Sequence, residues 1–480
     1  MASQRFNAVV VGAGAAGLVS ALTLARRGFR VCVVDAGPVL ATDARVDLAL
    51  ADVARQSTQS RSTSYTSANA SYFVDDNDLP YDTDPEAPFD WFRSRGLGGR
   101  LRLWAGVCLR MDPQQFDSWP VTYDDLDGSY ETVETLLNVS GTGTRPEVTL
   151  TAGEGLVRDA LARWPDRRFL SARVAQRSVS SLLSELLAYE SVTVLADSIV
   201  KEIEVDNRGR ATRIHGTQTD WGRSFSIEAD RFLLAASTIE TLRLMLVSKS
   251  ELFPRGIGNR HGLLGTNLMD HTAGPSVSGS APQQPLKSPS RSKYVPVAHI
   301  PASYSDGGDG HLPYNTTLFV PDQVPASSES KAWVAGAQGG SVFRMWASGE
   351  VLPRADNRVT LSAQTDSSGL PVPFISLHYS EQEKKMAAVQ VEFMTKLAAA
   401  AGFEVAEVSK TLLPAGSSVH EVGGAWMGDD PVRSVIDPNA KVWGTENVYV
   451  VDGAAFPTSP WQNPTLTMMA LAHRACRLLN

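Results

Sequence analysis

Cysteine is nearly absent from this chain: Cys32, Cys108 and Cys476 are the three in 480 residues, and no two stand at metal-ligand spacing. That excludes a disulfide framework and gives no zinc motif, so no metal is expected. Cys32 falls inside an apolar run and reads as a small core residue. Positive charge is not in surplus either. A net charge of −8 and a pI near 5.6 argue against nucleic acid or an anionic membrane as partner. The apolar run Ala8–Val11 is far too short to span a bilayer. The opening MASQRF enters a strand-like run without signal-peptide character, which makes the cytoplasm the expected location. No internal repeat is evident. What the chain does have is core: 43% hydrophobic and 20% charged residues predict a globular protein, and 480 residues predict two interlocked domains.

The first signal is a βαβ unit from Phe6 to Gly37. Asn7–Val11 is a continuous apolar run, as expected of a parallel strand buried on both faces. Gly12-Ala13-Gly14-Ala15-Ala16-Gly17 follows at once, then a helix over Leu18–Arg27, a stop at Gly28, and a second strand, Val31–Val34, ending at Asp35. Gly12 permits the tight turn, Gly14 lets backbone approach a pyrophosphate, and Gly17 allows close helix–strand packing. Asp35 is placed to accept hydrogen bonds from ribose hydroxyls. On these residues alone the ligand is FAD or NAD.

Residues 38–90 are polar, with a Ser/Thr-rich run at Gln56–Ser71, and read as a long surface excursion. From Pro88 the text sharpens to PFDWFRSRGLGGRLRLWAG, where glycines would let backbone lie against a flat ring or a pyrophosphate. Arg93, Arg95, Arg100 and Arg102 either face phosphate or are solvated. A helix is expected over Tyr123–Leu137. The short strands at Val192–Leu195, Ile199–Val205, Arg213–His215 and Phe225–Ile227 read together as an antiparallel insertion. An apolar strand, Arg231–Ala236, and a helix, Ile239–Ser248, come next. Residues 273–400 alternate Pro/Ser/Gly-rich loops with strand-like runs and end in a long helix, Glu381–Ala401, stopped by Gly402. This stretch is expected to be the substrate domain. Trp333, Trp346, Tyr314 and Tyr379 among small polar residues lean it towards a sugar.

The chain returns with SSVHEVGGAWMGDD and closes with VVDGAAFPTSPWQNPTLTMMALAHRACRLLN. His420 precedes a Gly-Gly turn; Asn463 is an N-cap by residue type, and Pro464 suits the first helical position. An imidazole and an amide could thus meet where a helix begins, a place that favours negative charge. A turn histidine and a capping asparagine would explain the same residues.

Four separated stretches, Val9–Asp35, Pro88–Pro120, Leu233–His271 and His420–Leu479, together resemble the glucose–methanol–choline (GMC) family of flavin oxidoreductases. The wording is nearest to its sugar-oxidising members, the pyranose 2-oxidases, glucoside 3-dehydrogenases and C-glycoside 3-oxidases. The resemblance implies an α/β fold: a Rossmann-like FAD-binding domain with a β-meander insertion (1–272 and 415–480) and an α+β substrate domain (273–414). It implies FAD held by Gly12, Gly14, Ala15, Ala16, Gly17, Asp35, Ala36, Gly99, Trp104, Ala105, Val200, Ala236, Asp452, Gly453, Pro464 and Thr465. His420 and Asn463 would be the catalytic pair, and Trp426 and Trp461 would wall the substrate. Leu103 stands where pyranose 2-oxidase carries a flavin-linked histidine, so the FAD is expected to be non-covalent. Ser237 stands where relatives have glycine. The implied activity is oxidation of a sugar or glycoside alcohol to the carbonyl, with oxygen or another electron acceptor. A non-sugar alcohol, or a flavin-binding protein without catalysis, are the rival readings. The other histidines, His271 included, carry no assigned role and His271 reads as structural.

Overall fold

The computed structural model describes residues 5–39, 72–143, 145–219, 222–282, 297–302, 312–321 and 341–480. Most of the expected excursion, with its Ser/Thr-rich run, and Trp333 lie outside them. β-Branched runs such as Val9-Val10-Val11 and Val31-Cys32-Val33-Val34 cannot be solvated on either face, and they form the centre of a five-stranded parallel sheet. Its order is Val448–Val450, Phe232–Leu234, Ala8–Val11, Val31–Val34, Val192–Leu195. Val9 pairs with both Phe232 and Cys32, so the glycine turn at residue 12 emerges at the middle of the sheet. The first helix, Ala15–Arg26, and the last, Thr465–Leu478, pack on each other, with Leu18, Leu22, Leu466 and Met469 all buried. Each such side chain contributes about 1.5–3 kcal/mol by leaving water.

Val192–Leu195 corrects the reading of the meander. It is the edge strand of the parallel sheet, in register with Val31–Val34, and only Ser198–Val205, Ala211–Gln218 and Ser224–Glu228 make the antiparallel insertion. A four-residue apolar strand carries no period that tells parallel from antiparallel partners.

A second sheet of seven strands includes Glu404–Ser409, Ser276–Ala281, Ser341–Glu350, Tyr314–Phe319, Ala298–Ala302 and Leu170–Ser171, with His271–Thr272 pairing to one end of Ser341–Glu350. The helix Glu381–Ala400 covers it through Met394 and Leu397 and forms a separate core. Two segments cross the expected boundaries. Helix Ala152–Ala160 and strand Leu170–Ser171 join this second core and sheet, while the hairpin Arg358–Thr365/Pro371–Ser376 packs Val359 and Ile375 on the first core. The proposed division therefore exchanges these two segments. None of the described helices is long and apolar enough to cross a membrane.

Candidate active site

The start of the first helix is built for close approach. Gly12 adopts φ +100°, and a Cβ there would stand 2.2 Å from the carbonyl oxygen of Ala235; one on Gly17 would stand 1.9 Å from that of Gly12. Only glycine permits the turn and the contact. Gly14 takes the N-cap position with no side-chain cap, and the first turn, which holds Ala15 and Ala16, has no acidic residue. Its N–H groups and dipole are thus left for an anionic ligand. Gly99 lies opposite, its added Cβ 3.6 Å from Gly14 Cα. Asp35 accepts the N–H of Ala13 at 2.7 Å and of Gly37 at 2.8 Å, and burial raises its pKa. Its remaining lone pairs stay available to ribose hydroxyls. Ala36 and Ala105 are exposed, and the Trp104 indole N–H is buried with no partner among the described residues. Val200 lies two residues past Ser198, whose N–H donates to the Asp35 carbonyl. A pyrophosphate flanked by an adenosine and a flat ring fits this cradle of glycines, open N–H groups and one carboxylate.

The second half of the site forms at the start of the last helix. Thr465 opens it, Pro464 occupies the cap position in helical backbone, and no side chain caps the end. Asn463 is not the cap expected of it. Its amide Nδ2 lies 3.1 Å from His420 Nε2. The other ring nitrogen of His420, Nδ1, lies 2.9 Å from Nδ1 of His271, and the His420 N–H donates to Asp270 Oδ1 at 3.1 Å. Burial, with His271 and Arg100 nearby, holds the His420 pKa well below its ordinary value. His271 is buried too, and its pKa falls to about 4.

Between the two halves stands Arg100. Its guanidinium donates to Glu421 Oε2 at 2.6 Å, to the Val419 carbonyl at 3.3 Å and to Ser237 Oγ at 3.2 Å. Ser237 (φ +81°) and Val419 (φ +65°) are both non-glycine residues with left-handed φ, costly for a serine and more so for a β-branched side chain. One arginine thus braces two strained residues, the second directly preceding His420. Ala236 donates its N–H to Thr241 Oγ1, and Thr241 donates in turn to Asp452 Oδ2 at 2.6 Å. Burial raises the Asp452 pKa to about 6. Gly453 sits where a Cβ would meet Thr238 Oγ1 at 2.6 Å.

Of the two expected substrate residues, Trp461 is sealed away. Trp461 is 2% exposed and sealed among Val107, Leu109, Ala172, Val174 and Val297, so neither indole face is open to a sugar. Trp426 turns towards the loop at 430–434, donating its indole N–H to the Arg433 carbonyl. Besides Arg100, two of the four arginines of the glycine-rich stretch have protein partners. Arg93 pairs with Asp76 at 2.6 Å and stacks on Trp91, and Arg102 donates to the Leu97 carbonyl. The residue missed outright is His271. Its partner is 149 residues away, and only the fold joins the strand after Asn267-Leu268-Met269-Asp270 to the segment before Val422.

Residues 353–472 match the family model described as GMC oxidoreductase, and residues 10–47 match that of an NAD(P)-binding Rossmann-like domain. The chain is 25% identical to the fructose dehydrogenase large subunit of Gluconobacter japonicus, over 98% of this chain and 96% of that protein. It is 25% identical to a C-glycoside 3-oxidase of Microbacterium trichothecenolyticum, over 80% and 75% of the two chains. Among solved structures, pyridoxine 4-oxidase from Mesorbium loti superposes with a TM-score of 0.68 at 17% identity, covering 98% of each chain, which speaks for the fold.

Proposed function

We propose that this chain, whose residues 353–472 match the GMC oxidoreductase model, is an FAD-dependent enzyme of that family oxidising a hydroxyl of a sugar or glycoside to the carbonyl. The observation that carries the reading is the meeting of His420 Nε2 and Asn463 Nδ2, 3.1 Å apart, at the uncapped start of the last helix. Similarity along nearly the full chain to a fructose dehydrogenase, and over most of it to a C-glycoside 3-oxidase, supports a sugar over other alcohols.

Bound FAD would supply the hydride acceptor. Gly12, Gly14, Ala15, Ala16, Gly17 and Gly99 would hold its pyrophosphate, and Asp35, Ala36 and Val200 its adenosine. Trp104, Ala105, Ala236, Asp452, Gly453, Pro464 and Thr465 would hold its ring end. Leu103 offers no ring nitrogen for a covalent link. His420 is the base: its low pKa keeps Nε2 free to take the substrate hydroxyl proton. Asn463 donates to the same oxygen and holds it in place. The open N–H groups at Thr465 would favour the negative charge that bound FAD takes on when the substrate's hydride reduces it. Arg100 keeps His420 in register by bracing Val419.

Anaerobic titration of the yellow protein with monosaccharides, O- and C-glycosides, sterols and aryl alcohols tests this. Bleaching of the flavin band by a sugar or glycoside is expected. Bleaching by a sterol or aryl alcohol alone would replace the sugar assignment, and a protein that does not take up FAD would end the reading.

A further inference from the structure

His271 is 2% exposed, and both of its ring nitrogens are engaged. Nε2 lies 2.7 Å from the Pro460 carbonyl oxygen, and Nδ1 lies 2.9 Å from His420 Nδ1. The rings stand edge to face, 4.9 Å between centroids and 75° between planes. A carbonyl has no proton to give, so the hydrogen in the first contact sits on His271 Nε2. A neutral His271 then presents a bare lone pair at Nδ1. Two bare nitrogens do not settle 2.9 Å apart, so His420 Nδ1 carries the hydrogen of the second contact. What remains on a neutral His420 is a bare Nε2, and that atom faces an amide donor, Asn463 Nδ2. Only one direction of donation satisfies all three contacts.

We propose that His271 is a positioning residue, which, fixed by the Pro460 carbonyl, locks His420 in the Nδ1–H tautomer and so keeps Nε2 as the proton acceptor. The inference rests on the reading of His420 as the base. The chain of contacts is a lock and not a relay, because it ends on a carbonyl that cannot pass a proton on. It also differs from a carboxylate behind a catalytic histidine, which would stabilise the imidazolium. The nearest carboxylate, Asp270, is occupied instead by the N–H groups of His420 and Gly416 and by the Ser418 hydroxyl. Arg100, joined to Glu421, lies near His420, and the buried Tyr379 faces Asp270. A base with a neutral partner holds no proton at rest.

The test is selective 15N-histidine labelling of the flavin-loaded protein without substrate, His420 being assigned by comparison with His420→Ala. A protonated Nδ1 and bare Nε2 on His420, with the reverse on His271, is expected. A proton on His420 Nε2, or rapid averaging of the two forms, would overturn the proposal on the wild-type protein alone. In His271→Ala the two tautomers should mix, and kcat should fall roughly 10- to 100-fold with KM little changed. His271→Asn, whose Oδ1 can accept from Nδ1–H, should restore the tautomer and most of the rate. An unchanged spectrum in His271→Ala would also refute the lock. Failure of every sugar to bleach the flavin would instead strike the proposed substrate, leaving the spectrum to be read on its own.

Discussion

The described α-helices begin in two different ways. Those starting after Thr122, Thr151, Ser178 and Ser380 each have a hydroxyl accepting the N–H three residues on. Those starting after Gly14, Ser237 and Pro464 have no side-chain cap. The second group is not a set of weaker helices: Gly14 and Ser237 each come three residues after a central strand, at Val11 and Leu234, Pro464 directly follows Asn463, and all three starts adjoin the proposed cofactor site or base. A cap stabilises a helix start by about 1 kcal/mol and closes it. An uncapped start forgoes that stability and keeps its N–H groups and dipole for a ligand. Function here is placed where local stability is given up.

The largest effect is expected where the pair beside the last open start is broken. His420→Ala should slow flavin reduction by sugar roughly 10²- to 10⁴-fold with flavin content intact, read by anaerobic stopped flow. A drop of less than about tenfold would remove His420 as the base. Next, Gly14→Asp would convert an open start into a capped one. A Cβ at residue 14 meets nothing within 4 Å, so the fold should accept it. The new carboxylate, about 4 Å from a phosphate at an effective dielectric near 20, should cost about 4 kcal/mol of binding, on the order of a thousandfold in FAD affinity. The apo protein should melt slightly higher. A variant that keeps its yellow colour through gel filtration would break the comparison.

Acid sharpens it further. His271, with a pKa of about 4 when folded and 6.5 when unfolded, contributes stability that is complete above 6.5 and is lost as pH falls towards 4, on the order of 3 kcal/mol. Asp452 works in the opposite sense: raised to about 6, it contributes stability at low pH that is lost as pH rises through that value. The two nearly offset each other between pH 4 and 7, so the variant shows the difference: relative to the wild type, the melting temperature of His271→Ala should rise as pH falls from 7 towards 4. The smallest effect belongs to a closed start. Thr122→Ala removes a cap bonded to the Asp125 N–H at 3.3 Å, and should cost about 1 kcal/mol in urea while leaving flavin content and reduction rate unchanged.

How much of this was legible follows from how far apart the partners lie. Gly12, Gly14, Gly17 and Asp35 were readable because the whole cradle is local, with Ala13 and Asp35 only 22 residues apart. His420 and Asn463 were readable as a pair through the family likeness, although residue type alone suggests a cap for Asn463. His271 and Arg100 were not readable in their roles. The partner of His271 is 149 residues away and those of Arg100 are 137 to 321, and nothing in the local text distinguishes the two from a core histidine or a solvated arginine. Trp461 failed for the converse reason: it stands two residues from Asn463 in sequence but points into an apolar cluster. The strain at Ser237 could have been suspected, since a serine replaces glycine at a strand-to-helix turn.

The outer strand of the central sheet, Val448–Val450, pairs with Phe232–Leu234, and Arg27 reaches back to the Cys476 carbonyl. A ribosome adding about 5–20 residues per second therefore makes the glycine cradle within seconds and finishes that sheet only after roughly 20–90 seconds. Once Phe232–Leu234 has emerged, its edge stays open until Val448–Val450 follows, and Asn463 comes later still. The base, its amide partner and the last sheet strand emerge together, so the chain cannot turn over substrate before its fold is closed.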